Sequence, residues 1–126
     1  MSVLVDTSVW VDHFRVRNDA LVQLLEADRV LGHPMIQVEL ACGTPPAPRL
    51  QTLNNIGLLQ PCNQAGLREV ADFIERERLY GLGSGLVAMV LLASTLITPG
   101  AQLWTLDKRL RAMAERFRIA FQTPGY

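Results

Sequence analysis

The sequence predicts an α/β domain: a central parallel sheet covered by helices on both faces. Three observations predict it. Short apolar runs such as Val3-Leu4-Val5 and Leu103-Trp104-Thr105 alternate with helix-length segments along the whole chain. The length, 126 residues, fits one domain over positions 1–126. With 49% hydrophobic and 19% charged residues, the chain can bury a core without disulfide or metal staples and is no disordered polyampholyte.

Each element has its own reason. Val3-Leu4-Val5 is a β-branched apolar run ending at Asp6, which reads as a buried strand. Asp6-Thr7-Ser8 then offers helix-capping side chains, and Val9, Trp10, Val11 and Phe14 follow at helical spacing. Asn18-Asp19 caps a second helix with Leu21, Leu24 and Leu25 on one face. Arg29 to Gly32 is a short strand or turn. Pro34 opens a third helix, which Gly43 closes. Thr44 to Pro48 is a hinge too short to link domains. Arg49 to Ile56 reads as helix, and Leu58-Leu59 as a candidate strand. Gln64 to Leu79 is the clearest amphipathic helix, apolar at Leu67, Val70, Ala71, Phe73 and Ile74. After a Gly-rich loop over Gly81 to Gly85, Leu86 to Leu96 has no polar face before Ser94, so it should be buried on nearly all sides. Leu103-Trp104-Thr105 is a strand ending near Asp107, Lys108 to Phe117 a basic helix, and Ile119-Ala120-Phe121 a last strand.

Charge and cysteine content narrow the function. Twelve Lys+Arg balance twelve Asp+Glu, so no whole-molecule cationic field exists to gather nucleic acid. A local basic patch, or phosphate binding through a metal, stays open. Two cysteines without CxxC or Cys/His spacing make neither a disulfide framework nor a zinc site. The opening has no basic segment before its apolar run, and Leu86 to Ile97 is shorter than the roughly 20 residues that cross a bilayer. These features predict a soluble cytoplasmic protein. Gly81 to Gly85 lacks the Gly-Lys-Ser/Thr ending of a P-loop and reads as a turn.

Three acids stand out. Asp6 and Asp107 both follow apolar strands, and ligands of open α/β sheets bind beyond the carboxyl ends of strands. Glu39 lies in Met35-Ile36-Gln37-Val38-Glu39-Leu40-Ala41, an otherwise apolar helix. Three carboxylates in one partly buried pocket repel one another, and a divalent cation cancels the repulsion. Oxygen ligands without His or Cys suit Mg2+ or Mn2+, and such an ion suits phosphodiester hydrolysis. Thr7, Ser8 and Thr105 stand where they can hydrogen-bond those carboxylates, and Lys108, Arg109 and Arg111 where they can steer a phosphate backbone. Plainer readings stand beside these. An Asp after a strand is most often a helix cap, Glu39 fits a narrow exposed stripe, and the basic residues fit a solvated face. Trp10 and Trp104 read as core, and His13 has no assigned role.

The combination resembles the PIN-domain ribonucleases, in particular the VapC toxins of bacterial toxin–antitoxin pairs. Val3-Leu4-Val5-Asp6-Thr7-Ser8-Val9-Trp10-Val11 is similar to the family's opening. So are the Val38-Glu39-Leu40 helix, the Gly83 to Ser94 block, and Leu103-Trp104-Thr105-Leu106-Asp107-Lys108-Arg109-Leu110, in family order over nearly the whole chain. The resemblance implies a three-layer α/β/α PIN fold and Mg2+-dependent endoribonuclease activity on RNA. It implies a VapB-type antitoxin and a homodimer, with neither membrane nor DNA contacted by this chain itself. The family's acids fall on Asp6, Glu39 and Asp107. One departure matters: the family carries a metal-binding aspartate where this sequence has Ala88, and a histidine where it has Val90. Losing even a hydrogen-bonding partner of a metal ligand costs about 10–100-fold in affinity or activity. The expectation is an impaired enzyme; the alternative is an inactive PIN-fold module that sequesters an antitoxin or RNA. A receiver-like domain lacks its downstream acceptor aspartate, since no apolar strand ends in Asp between residues 50 and 80.

Overall fold

The computed structural model describes residues 1–123; positions 124–126, inside the expected domain span, lie outside the described residues. Val3, Leu4 and Val5 are fully buried, and a strand so apolar needs neighbours on both edges and cover on both faces. Strand β1 (Ser2–Val5) has them. It pairs in parallel with β2 (Val30–Gly32), Val3 opposite Val30, and with β4 (Ala101–Trp104), Leu4 opposite Leu103. Strand β3 (Gln60–Pro61) pairs with β2, giving the order β3-β2-β1-β4.

Helices fill the crossovers. Helices α1 (Thr7–Arg15) and α2 (Asp19–Glu26) join β1 to β2, and α3 (Pro34–Cys42) and α4 (Arg49–Gly57) join β2 to β3. Helices α5 (Leu67–Glu77) and α6 (Leu86–Leu96) return to β4, and α7 (Lys108–Arg116) follows it. Helix α1 packs on α3 and α3 on α4; α5 packs on α6, and α6 on α7 and β4. Right-handed crossovers that run outward and then back put these two groups on opposite faces of the sheet. The result is the expected α/β architecture with a central parallel sheet. Trp10 and Trp104 are core residues, each 4% exposed.

Several boundaries differ from the sequence expectation; β4 runs over Ala101–Trp104 instead of Leu103 to Thr105, and α7 stops at Arg116. The candidate strand at Leu58-Leu59 falls instead at Gln60–Pro61, where Pro61 lacks the N–H that another strand would need and closes the sheet edge. Helix α5 starts at Leu67 rather than Gln64 because the preceding segment is drawn onto α6: Asn63 N–H donates to Thr98 Oγ1 (3.0 Å) and Ala65 N–H to Ser94 Oγ (3.1 Å). It ends at Glu77, where Arg78 takes a left-handed φ of 57°. The expected last strand contracts to one bridge, Leu103 with Ala120, made by Leu103 N–H to Ile119 O (2.7 Å) and Phe121 N–H to Leu103 O (2.9 Å).

Helix α6 is buried without a break from Met89 to Thr95. Its two buried hydroxyls are satisfied: Thr95 Oγ1 donates to Leu91 O (2.7 Å), and Ser94 Oγ accepts from Ala65 and meets His33 Nε2 at 3.1 Å. His33 also caps α3, its Nδ1 accepting from Met35 N–H (3.0 Å). With Nδ1 accepting, the ring hydrogen sits on Nε2 and is donated to Ser94. Among the described residues, no helix is long and apolar enough to cross a membrane.

Candidate active site

The chain runs from β1 outward through β2 to β3, then returns to the other side of β1 as β4. The crossover direction therefore reverses between β1 and β4, and a crevice opens there beyond the carboxyl ends of the strands. Asp6 follows β1 at that point, and Thr105 follows β4.

Asp6 is 8% exposed, and its carboxylate accepts three hydrogen bonds. Its Oδ1 accepts from Thr7 N–H (2.8 Å), capping α1. Its Oδ2 accepts from Ser8 Oγ (2.8 Å) and Thr105 Oγ1 (2.7 Å). Those two hydroxyls also hold the loop after β4: Leu106 N–H donates to Ser8 Oγ and Asp107 N–H to Thr105 Oγ1, both at 3.0 Å. The carboxylate after β1 and the chain after β4 are thus tied together by two side chains.

Glu39 enters from α3. Thr7 Oγ1 donates to Glu39 Oε1 at 2.6 Å, so one threonine bonds Glu39 through its hydroxyl and Asp6 through its backbone. Asp107 is exposed and caps α7, its Oδ1 accepting from Arg109 N–H (2.9 Å) and Leu110 N–H (3.1 Å). Its backbone is fixed to Asp6 through Thr105, while one of its carboxylate oxygens is committed to the helix. Ala88 lies in the first turn of α6. That helix packs on β4 and reaches it by a short turn, so it runs antiparallel and its start lies at the same end of the sheet. Ala88 offers no donor or acceptor there.

The basic residues divide. Lys108 is exposed, and among the described residues it makes no ion pair. Arg109 donates to Gly83 O (3.2 Å) and covers that glycine so closely that a Cβ there would fall 2.8 Å from its Nη1. Arg111 pairs with Glu115 one turn on, at 3.7 Å. That exposed pair contributes little.

A divalent cation can be weighed against these groups. The donors are all oxygen and suit Mg2+ or Mn2+ in kind. In number they fall short. Both oxygens of Asp6 already accept hydrogen bonds, Asp107 is half committed to its helix, and position 88 has no carboxylate. Among the described residues, no three His, Cys, Asp or Glu side chains converge closely enough to hold an ion.

Burial holds His33 below the usual histidine value. Burial first, and then Arg17, lower His13, against a raising effect of Asp12. Burial pushes the Cys62 thiol up to about 11, which leaves it inert at neutral pH. Sequence reasoning missed the His33–Ser94 junction; its one readable signal is a histidine directly before Pro34, at a helix start.

A parallel sheet with carboxylates at its switch point, one of them carried in by a flanking helix, defines an α/β protein of the PIN-like class. No family model matches the chain. Against curated proteins it is 39% identical over 118 residues to Ribonuclease VapC32 of Mycobacterium tuberculosis strain CDC 1551 / Oshkosh, and equally to Ribonuclease VapC32 of strain ATCC 25618 / H37Rv. The match spans 94% of this chain and 94% of each relative. The chain belongs to the VapC ribonuclease family.

Proposed function

We propose that this chain is a VapC-type endoribonuclease that hydrolyses RNA phosphodiester bonds with a divalent cation, Mg2+ or Mn2+, and that Ala88 impairs it. The observation that carries the reading is the Thr7 bridge, which brings Glu39 to Asp6 at the switch point of a VapC-family fold. Asp6, Glu39 and Asp107 are the acids that would hold the ion, weakly because they do not converge and position 88 adds no fourth carboxylate; when bound, the ion would supply Lewis-acid polarisation of a phosphate oxygen and a more acidic water. The chain's own residues do the rest. Ser8 and Thr105 fix the Asp6 rotamer and the loop that carries Asp107. Thr7 fixes Glu39, and Lys108, with Arg109 and Arg111 behind it, draws the phosphate backbone to a molecule with no net charge of its own. The setting is the cytoplasm, and the partners are RNA, a VapB-type antitoxin and a second copy of the chain.

Replacing Ala88→Asp tests the reading. The variant should cleave a fluorogenic RNA at least about 10-fold faster at limiting Mg2+ or Mn2+. Equal or slower cleavage removes position 88 from the site. A second reading has its own support. The hydroxyls already occupy Asp6, and no three acids converge, which favours a PIN-fold module that binds an antitoxin or RNA without cutting it. It predicts a co-purifying small partner and no cleavage by the unaltered chain even at high Mn2+.

A further inference from the structure

A cleft of about 430 Å3 opens beside Glu39, between α1, α3 and the proline-rich loop that follows α3. Val11, Phe14 and Arg15 of α1, Glu39 of α3, and Pro45 and Pro46 of the loop line it. We propose that it is a nucleotide subsite: it takes one unpaired base of single-stranded RNA next to the phosphate presented to Asp6 and Glu39.

Four observations carry this. The cleft has the size of a small-ligand pocket. Its loop wall is fixed in advance: Arg49 donates to Gly43 O (2.9 Å) and to Ala41 O, and Thr52 Oγ1 donates to Pro46 O (2.8 Å). Phe14 is half-buried, with Trp10 supporting it at a centroid distance of 6.2 Å, so an aromatic surface is held still at the wall. Arg15 is exposed and, among the described residues, makes no ion pair. Flat apolar surfaces beside a free guanidinium match the needs of an unstacked nucleotide, a surface for the base and a cation for the phosphate. A base inside a duplex cannot enter. The inference rests on the ribonuclease reading and adds the residues that seat one base.

The test is binding of fluorescein-labelled U, C and A octaribonucleotides to the full chain by anisotropy. It is run in millimolar Mg2+, with intactness checked on a denaturing gel. Phe14→Leu keeps the apolar volume and removes the aromatic face; Arg15→Glu reverses the charge. Each should weaken single-strand binding at least about fivefold. Arg68→Glu makes the same charge change on α5, which packs against α6, and should stay within about twofold of the parent. The same RNA as a duplex should bind at least about fivefold more weakly than the single strand. Phe14→Leu and Arg15→Glu behaving like Arg68→Glu overturns the subsite; if the parent still cleaves RNA, the ribonuclease reading stands without it. A parent that neither binds nor cleaves RNA overturns both. Loss of a co-purified polypeptide on Phe14→Leu, with RNA binding unchanged, assigns the cleft to a protein and overturns the proposal.

Discussion

Thr105 is the side chain with the most to hold. Its hydroxyl donates to Asp6 Oδ2 at 2.7 Å and accepts from Asp107 N–H at 3.0 Å, so one oxygen joins a buried carboxylate to a loop 99 residues further along the chain. Thr105→Val keeps the shape and removes both bonds. It should cost about 1–3 kcal/mol, because it strips a partner from a buried charge and leaves an N–H unpaired. The urea midpoint should fall, hydrogen exchange at the Asp107 amide should quicken, and Thr105→Ser should restore both. An unmoved midpoint in the valine variant removes the hydroxyl from the stability account. The residue types around the acids were legible, since Thr7, Ser8 and Thr105 adjoin Asp6 and Asp107 in sequence. Their division of labour was not. That Thr7 turns outward to Glu39 while Ser8 and Thr105 turn to Asp6 depends on where α3 and β4 come to lie. For Asp107 the plainer reading, a helix cap, describes one oxygen, which leaves the other for a ligand.

Among the elements, α3 carries Glu39 and depends on His33 for its start. His33 caps the helix through Nδ1 and reaches Ser94 of α6 through Nε2, so a neutral imidazole spans two helices on opposite sides of the sheet. Burial depresses its pKa in the fold, so the unfolded chain takes up the proton first as pH falls. The stabilisation is therefore fully present above the ordinary histidine value of about 6.5 and is lost as pH drops through the lower folded value. His13, also lowered by burial, adds to the same slope. Melting temperature should fall between about pH 7.5 and pH 5, above the range where most carboxylates titrate. His33→Asn keeps a cap acceptor without titrating and should flatten part of that fall; an unchanged slope assigns the effect to His13. The elements themselves were legible wherever periodicity was strong, as in the apolar α6. They were misplaced where a distant side chain intervened. Residues 63–65 fail to join α5 because Ser94 and Thr98 capture their N–H groups, and no local pattern carries that information.

For the whole molecule, the alternation of strands and helices implied the parallel sheet, but not the order of its strands. That β1 and β4 are neighbours puts Asp6 and Asp107 at one end of the sheet, and it pairs residues 99 positions apart, as Ser2 with Ala101. Metal linkage measures how far the crevice is complete. A cation at free concentration about 100 times its Kd stabilises a fold by about 2.7 kcal/mol. With no three acids converging, millimolar Mg2+ should barely move the melting temperature of this chain, whereas the Ala88→Asp variant should rise by several degrees. Equal shifts in both would show that position 88 takes no part in binding.

The pairing of β1 with β4 also sets when the protein can work. During synthesis, the first strand emerges with one edge open, and Asp6 waits for a hydroxyl encoded 99 codons later. A ribosome carrying a partial chain therefore holds only an unassembled precursor. Whatever chemistry the finished centre performs must wait until β4 and Thr105 have left the exit tunnel.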